Sequence, residues 1–169
     1  MTLVIDMQGA QSTASGGRGV GRYTRELTKN LIQCSRGKID VYLALNGKLD
    51  CDRTIAYFED IVTRDHIKVW NYYPEIAPAH TFDHSEIQPE ELFYEWFLHQ
   101  FHADAIWIPN YQEGYNEAGL ATSAKLTYGN EVIVSTLHDV TPLLFAQDYL
   151  RGDVKPWYNK KIGYVSLND

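Results

Sequence analysis

The chain is short of cysteine, of positive charge and of long apolar runs. Only Cys34 and Cys51 occur among 169 residues. They belong to no C-x-x-C or Cys/His cluster, which excludes a disulfide framework or a thiolate metal site and points to a reducing compartment. Lys and Arg number 15 against 22 Asp and Glu, a formal net charge of −7. That balance argues against non-specific nucleic-acid binding, which needs basic residues to neutralise phosphates. Any anion site must therefore be local. Nowhere do about 18 apolar residues follow one another, and the start has no basic stretch leading into an apolar one, so neither a membrane span nor a secretory leader is expected. The expected protein is soluble and cytoplasmic.

What is present is the composition of a folded domain, 44% hydrophobic and 22% charged, in a length suited to one core. Residues 2–7 form an apolar run rich in β-formers, and a polar, glycine-rich stretch follows to Arg18. This pattern predicts a buried strand and its loop. Val20, Tyr23, Leu27, Leu31 and Cys34 then recur at three- and four-residue steps, which predicts a helix ending near residues 35–37 with those side chains on one face. Residues 39–45 read as a second strand, stopped by Asn46-Gly47, residues 53–62 as a helix and 66–70 as a third strand. Residues 71–87 read as a long loop, of a length more often functional than idle. Pro89 opens a helix with Glu90 and Glu91 at its positive end and Leu92, Phe93, Trp96, Phe97 and Phe101 towards the core. Residues 103–109 and 131–137 read as strands four and five, the latter buried on both faces. Thr141 suits an N-cap and Pro142 the first position of the next helix, and a further helix and short strand close the chain.

Strands alternating with helices predict an α/β fold: a Rossmann-like parallel sheet with helices on both faces, in a single domain over residues 1–169. Ligands of such sheets bind at the carboxyl ends of the strands. That rule selects the glycine loop after strand one, the stretch "PNYQEGYN" after strand four and "HDVTP" after strand five.

The loop "STASGGRGVGRY" carries Gly16, Gly17, Gly19 and Gly21, which let backbone N–H groups approach an anion at the positive end of the following helix. With Arg18, Arg22 and Arg25 nearby, a diphosphate is the natural guest. The competing reading is a mobile loop with a solvated arginine face, Arg22 pairing with Glu26. A P-loop is excluded because the stretch has no lysine. A dinucleotide site is disfavoured because the loop is long and strand two ends in Leu45-Asn46 instead of the ribose-binding acid.

Other groups have plainer readings. His138 suits a core histidine satisfied by a backbone carbonyl, and Asp139 a turn or capping residue. His80 and His84 with Asp83 and Glu86, and the pair His99 and His102, read as structural and not as metal ligands. Glu90 with Glu91, and Glu113 with Glu117, are carboxylate pairs whose separation would decide a glycosidase mechanism, and both read as exposed acids.

Three blocks, "DMQGAQSTASGGRGVGRYTRELTKNLI", "ADAIWIPN" and "VIVSTLHDVTPLLF", in this order and spacing, resemble the amino-terminal half of a family 4 glycosyltransferase, a retaining enzyme of GT-B fold. The resemblance implies that Gly17, Gly19 and Arg18, with Arg22 as a weaker candidate, approach the diphosphate of a nucleotide-sugar donor. It assigns His138, with its neighbour Asp139, to the transferred sugar, and Tyr72, Tyr73, Asn110 and Tyr111 to a glycan or lipid-linked acceptor. It further implies no cofactor and no metal, a carboxy-terminal donor-binding domain beyond Asp169, hence an inactive half in isolation, and a full enzyme with peripheral membrane association and a partner domain or oligomer. The alternative is a non-catalytic α/β module that binds a carbohydrate or a partner chain.

Overall fold

The structure is a computed structural model that describes residues 1–35, 37–81, 87–123 and 129–166. Strands β1 (Thr2–Asp6), β2 (Asp40–Asn46), β3 (Ile67–Trp70), β4 (Ala105–Ile108) and β5 (Val132–Ser135) form one all-parallel sheet in the order β3-β2-β1-β4-β5. In register, Ile5 lies between Leu43 and Trp107, and Trp107 is followed outward by Val134. The two-residue period of a strand then divides the core. Val4, Ala44, Trp70 and Ile106 turn to one face, where they meet Tyr94 and Leu98 of helix α4 (Pro89–His99). Leu3, Ile5, Leu43, Leu45 and Trp107 turn to the other, where they meet Phe58 of α3 (Cys51–Phe58) and Leu31 and Ile32 of α2 (Gly19–Ser35). Helices on both faces of a parallel sheet make the Rossmann-like α/β fold that the sequence predicts. Each fully enclosed Leu or Ile of these layers is worth about 1.5–3 kcal/mol of burial.

The chain order fixes where a ligand site belongs. From β1 the chain steps outward to β2 and β3, then crosses through α4 to β4 on the opposite side of β1. The direction of winding therefore reverses between β1 and β4, and the crevice outside their carboxyl ends is the position where such sheets hold ligands. A one-turn helix α1 (Gln8–Gln11) and the loop of residues 12–18 leave β1 there, and Pro109-Asn110 leaves β4 beside them.

Several sequence expectations need correction. The buried positions of α2 are Gly21, Thr24 and Thr28, while along its apolar stripe Leu31 packs against the core, Tyr23 and Leu27 are exposed beside Trp107 and Val134, and Cys34 lies at the surface. Gly21 lets this helix approach the backbone of Ser15 and Gly16, and Thr24 satisfies its own hydroxyl on the Val20 carbonyl at 3.0 Å. On α4 the buried side chains are Glu90, Glu91, Tyr94, Glu95 and Leu98, while Trp96 is exposed and Phe93 and Phe97 pack at the flank. Both stripes have helical spacing, and the acidic one is the buried one because Lys160 and Lys161 of α7 (Val154–Ser166) and Ser123 meet its carboxylates. Strand β5 is an edge strand, with Val132 61% and Val134 48% exposed, instead of being covered on both faces.

Capping also differs in detail. Helix α3 begins at Cys51, because Asp50 accepts the Arg53 amide as its N-cap, and Pro89 follows a reciprocal capping box of Gln88 and Glu91. Helix α5 (Thr141–Leu144) begins one residue earlier than expected, with Val140 as N-cap and Thr141 and Pro142 as its first two residues. A second single turn, α6 (Ala146–Tyr149), follows. The closing stretch 155–169, read as a helix and a short strand, is helical through Ser166, and its last three residues, like residues 82–86 of the long loop with Asp83, His84 and Glu86, lie outside the described residues. Among the described residues no helix is long and apolar enough to cross a membrane.

Candidate functional site

The carboxyl edge of the sheet is built on buried amides. The Gln8 amide nitrogen donates to the Ala121 carbonyl at 2.7 Å and its oxygen accepts from Asn46 at 2.9 Å. Gln11 exchanges bonds with the backbone of Asn46. These side chains join β1, β2 and residues 119–121 into one floor, so Asn46, the residue that disfavours a dinucleotide site, has a structural task. Asp6 is fully buried in this floor. Among the described residues it receives only two long bonds from Gln8, at 3.3 and 3.4 Å, and its second carboxylate oxygen has no hydrogen-bond partner there. Burial pushes its carboxyl up to about 7, against the weaker help of Gln8, with the Glu113 charge adding to the rise. The Tyr94 hydroxyl is close enough to interact with that carboxyl yet lies outside hydrogen-bonding geometry.

Above the floor the glycine loop is held from two sides. Arg25, on the second turn of α2, reaches back so that one nitrogen donates to the Ala10 carbonyl at 3.3 Å and the Gly16 carbonyl at 2.8 Å. Arg25 is thus a clamp of the loop and not part of an outward arginine face. On the other side Glu117, from the segment after β4, accepts from the Thr13 amide (2.7 Å), the Ala14 amide (3.1 Å), the Thr13 hydroxyl (2.9 Å) and the Ser12 hydroxyl (2.8 Å). Burial alone would raise its pKa, but these bonds outweigh it and hold the carboxyl below its usual range. Glu113 stands next to it, buried, accepting from Asn110 at 2.6 Å, and burial raises its carboxyl. The two carboxylates flank a hollow of about 470 Å³ lined by residues 13–15 and 112–118. The expectation of exposed acids therefore fails for Glu113, as it does for Glu90 and Glu91.

The glycines divide into two kinds. A Cβ on Gly16 would stand 2.5 Å from the Ser12 carbonyl oxygen, and one on Gly21 2.5 Å from Gly16 Cα. The fold itself requires these two. A Cβ on Gly17 or Gly19 would meet nothing within 4 Å, and neither residue has a positive φ. Their bare backbone serves no packing need of the chain. Arg18 and Arg22 beside them are exposed, and the Gly17 and Gly19 amides have no hydrogen-bond partner among the described residues.

His138 follows β5 and meets the same helix. Its ring lies edge-on to Tyr23 of α2, 5.0 Å between centroids, and Tyr23 in turn packs on Trp107 and touches Thr136 through its hydroxyl. His138 Nε2 lies 2.7 Å from the Pro109 carbonyl oxygen. A carbonyl only accepts, so Nε2 carries the hydrogen, and Nδ1 is left without a protein partner among the described residues. The carbonyl contact of the plain reading is present, on a ring at the surface of the crevice. Asp139 accepts from the Thr141 amide at 2.7 Å, which lowers its pKa and makes it a turn-capping residue.

The acceptor candidates do not gather. Asn110 is buried between Glu113 and Gln112, and Tyr111 is wholly enclosed in the core, where burial pushes its hydroxyl up to about 12. Tyr72 packs on Phe93, while Tyr73 is 90% exposed, and both follow β3, at the opposite edge of the sheet from β5. His80 donates from Nδ1 to the Tyr115 carbonyl, and His99 pairs with Glu131. Among the described residues no group of His, Cys, Asp and Glu has the arrangement of a metal site. Sequence reasoning missed Asp6, Gln8, Tyr23 and the task of Glu117. Only Asp6 signalled itself, as a lone carboxylate in the apolar run 2–7. Comparison with protein-family models, with curated proteins and with solved structures finds no match for the chain.

Proposed function

We propose that this chain is the acceptor-side domain of a retaining, family 4-like glycosyltransferase of GT-B type, which moves a sugar from a nucleotide-sugar donor to a glycan or lipid-linked acceptor. The observation that carries the reading is the meeting of the loop-bearing helix and the histidine. Tyr23, one turn into the helix that the glycine loop opens, is in ring contact with His138 at the carboxyl edge of the sheet. Breaking a glycosyl–phosphate bond builds negative charge on the departing diphosphate and positive charge on the sugar. The unpaired amides at Gly17 and Gly19, the positive end of α2 and the exposed Arg18 and Arg22 would meet the diphosphate. His138, with Nε2–H committed to Pro109, would accept a donor-sugar hydroxyl at Nδ1. Asp139 would act only by shaping the turn that presents His138. No cofactor or metal is required by this scheme, because amides and arginines carry the leaving-group charge.

The test is a thermal-shift titration against UDP- and GDP-sugars, free UDP and GDP, and NAD, with Arg18→Ala alongside. A ligand that binds only the folded state raises its midpoint. A sugar nucleotide that stabilises the wild type and not the variant is the expected result. Stabilisation by a free oligosaccharide, with none from any nucleotide, would favour the non-catalytic binding module instead.

A further inference from the structure

The loop that the proposed function assigns to a phosphate already holds an anion, and the anion belongs to the chain. Four donors from three consecutive residues converge on one carboxylate, that of Glu117, arriving from the other side of the switch-point crevice. Within the loop the Ser15 amide donates to Ser12 Oγ at 3.0 Å, so the hydroxyl that donates to Glu117 also closes the turn. From beneath, Arg25 fixes the carbonyls of Ala10 and Gly16. Residues 10–16 are therefore pinned at both ends and on both sides. What remains unbonded among the described residues are the amides of Gly17 and Gly19, where a Cβ would meet nothing within 4 Å; the Arg18 amide between them donates to the Ser15 carbonyl at 2.9 Å.

We propose that Glu117 is a positioning residue for the donor diphosphate, an inference that rests on the glycosyltransferase reading above. By saturating the donors of Ser12, Thr13 and Ala14, Glu117 fixes the first half of the loop. The second half then keeps the Gly17 and Gly19 amides available, and an incoming phosphate is confined to those two amides and the arginines. Preorganised donors of this kind need no rearrangement when charge arrives. The hydrogen bonds that hold Glu117 ionised keep the clamp closed through neutral and mildly acidic pH.

The sign of the effect makes the proposal testable. Coulomb's law alone says that removing a carboxylate from beside an anion site tightens anion binding. Positioning says the opposite. Wild type, Glu117→Gln, Glu117→Ala and Arg18→Ala are titrated with inorganic pyrophosphate and with UDP by calorimetry, and the thermal midpoint of each free protein is recorded. The expected result is a roughly tenfold or greater loss of pyrophosphate and UDP affinity in both Glu117 variants, with formate, which fits the vacated carboxylate position, restoring binding to Glu117→Ala but not to Arg18→Ala. Amide hydrogen exchange over residues 12–19 should quicken in Glu117→Ala and return towards wild type with formate. Undiminished or tighter binding in the Glu117 variants overturns the positioning role and leaves the phosphate site standing. A wild type that binds neither probe overturns the phosphate site itself and the positioning role with it.

Discussion

Asp6 offers a large and calculable perturbation. It is a fully buried carboxyl, raised from 3.8 to about 7 because burial outweighs two long hydrogen bonds from Gln8. A carboxyl whose folded value lies above its unfolded one holds its proton more tightly in the folded state. Below about pH 4 both states are protonated and no cost arises. Between about pH 4 and 7 the unfolded chain releases a proton that the folded chain keeps, so stability falls as pH rises, and above 7 the whole cost remains. At about 1.4 kcal/mol per pH unit, the cost of Asp6 above pH 7 is about 4 kcal/mol. Asp6→Asn removes the ionisation at nearly equal shape. Its oxygen still accepts from Gln8, and its amide nitrogen takes the place of the carboxylate oxygen that has no hydrogen-bond partner among the described residues. Urea unfolding of both proteins at pH 4.5, 6 and 8 should show the variant gaining on the wild type as pH rises, by a few kcal/mol at pH 8. Parallel stability profiles, or a variant less stable at pH 8, would refute the account of Asp6.

The glycines should separate by role. Gly21→Ala, whose Cβ would stand 2.5 Å from Gly16 Cα, should cost about 1–3 kcal/mol or more in thermal or urea unfolding. Gly17→Ala and Gly19→Ala should leave stability within about 0.5 kcal/mol while weakening sugar-nucleotide binding. Arg25→Ala removes the charged donor shared by Ala10 and Gly16 and should lower stability by about 1.5–3 kcal/mol, with faster hydrogen exchange across residues 10–18. Lys161 is wholly buried, donates to Thr122 and pairs with Glu91, and burial lowers its ammonium to about 8. Lys161→Ala should cost about 3–5 kcal/mol by calorimetry, and the loss should be smaller in a Glu91→Gln background.

The sheet was legible because buried parallel strands are near-continuous apolar runs, as in residues 2–7 and 103–109, and because turn signals such as Asn46-Gly47 bound them. Which helical stripe is buried was not. On α2, Tyr23, Leu27 and Leu31 have the same period as Gly21, Thr24 and Thr28, and only the tertiary arrangement decides that the small residues are buried, Gly21 against the Gly16 backbone, while the larger ones line an apolar groove with Trp107 and Val134. On α4 the buried acids depend on lysines about 70 residues later in the chain. Strand β5 resembles a fully buried strand because β-branched composition reports strand propensity, whereas exposure at an edge depends on what neighbours it. In the site, the glycine loop and His138 stood out by residue type and by their place after strands. The Glu117 clamp did not, since nothing local in "QEGYNE" says that its last carboxylate reaches the amides of Thr13 and Ala14 across the crevice.

The most direct measurement is amide and imidazole chemical-shift mapping on isotope-labelled protein titrated with UDP- and GDP-sugars. The expected result is that the largest changes fall on the Gly17, Gly19 and Val20 amides and on the His138 ring, saturate together, and vanish in Arg18→Ala. Changes centred on Tyr73 and Lys48, or on the groove of Leu27 and Val134, with the loop and His138 silent, would contradict a donor site at the glycine loop.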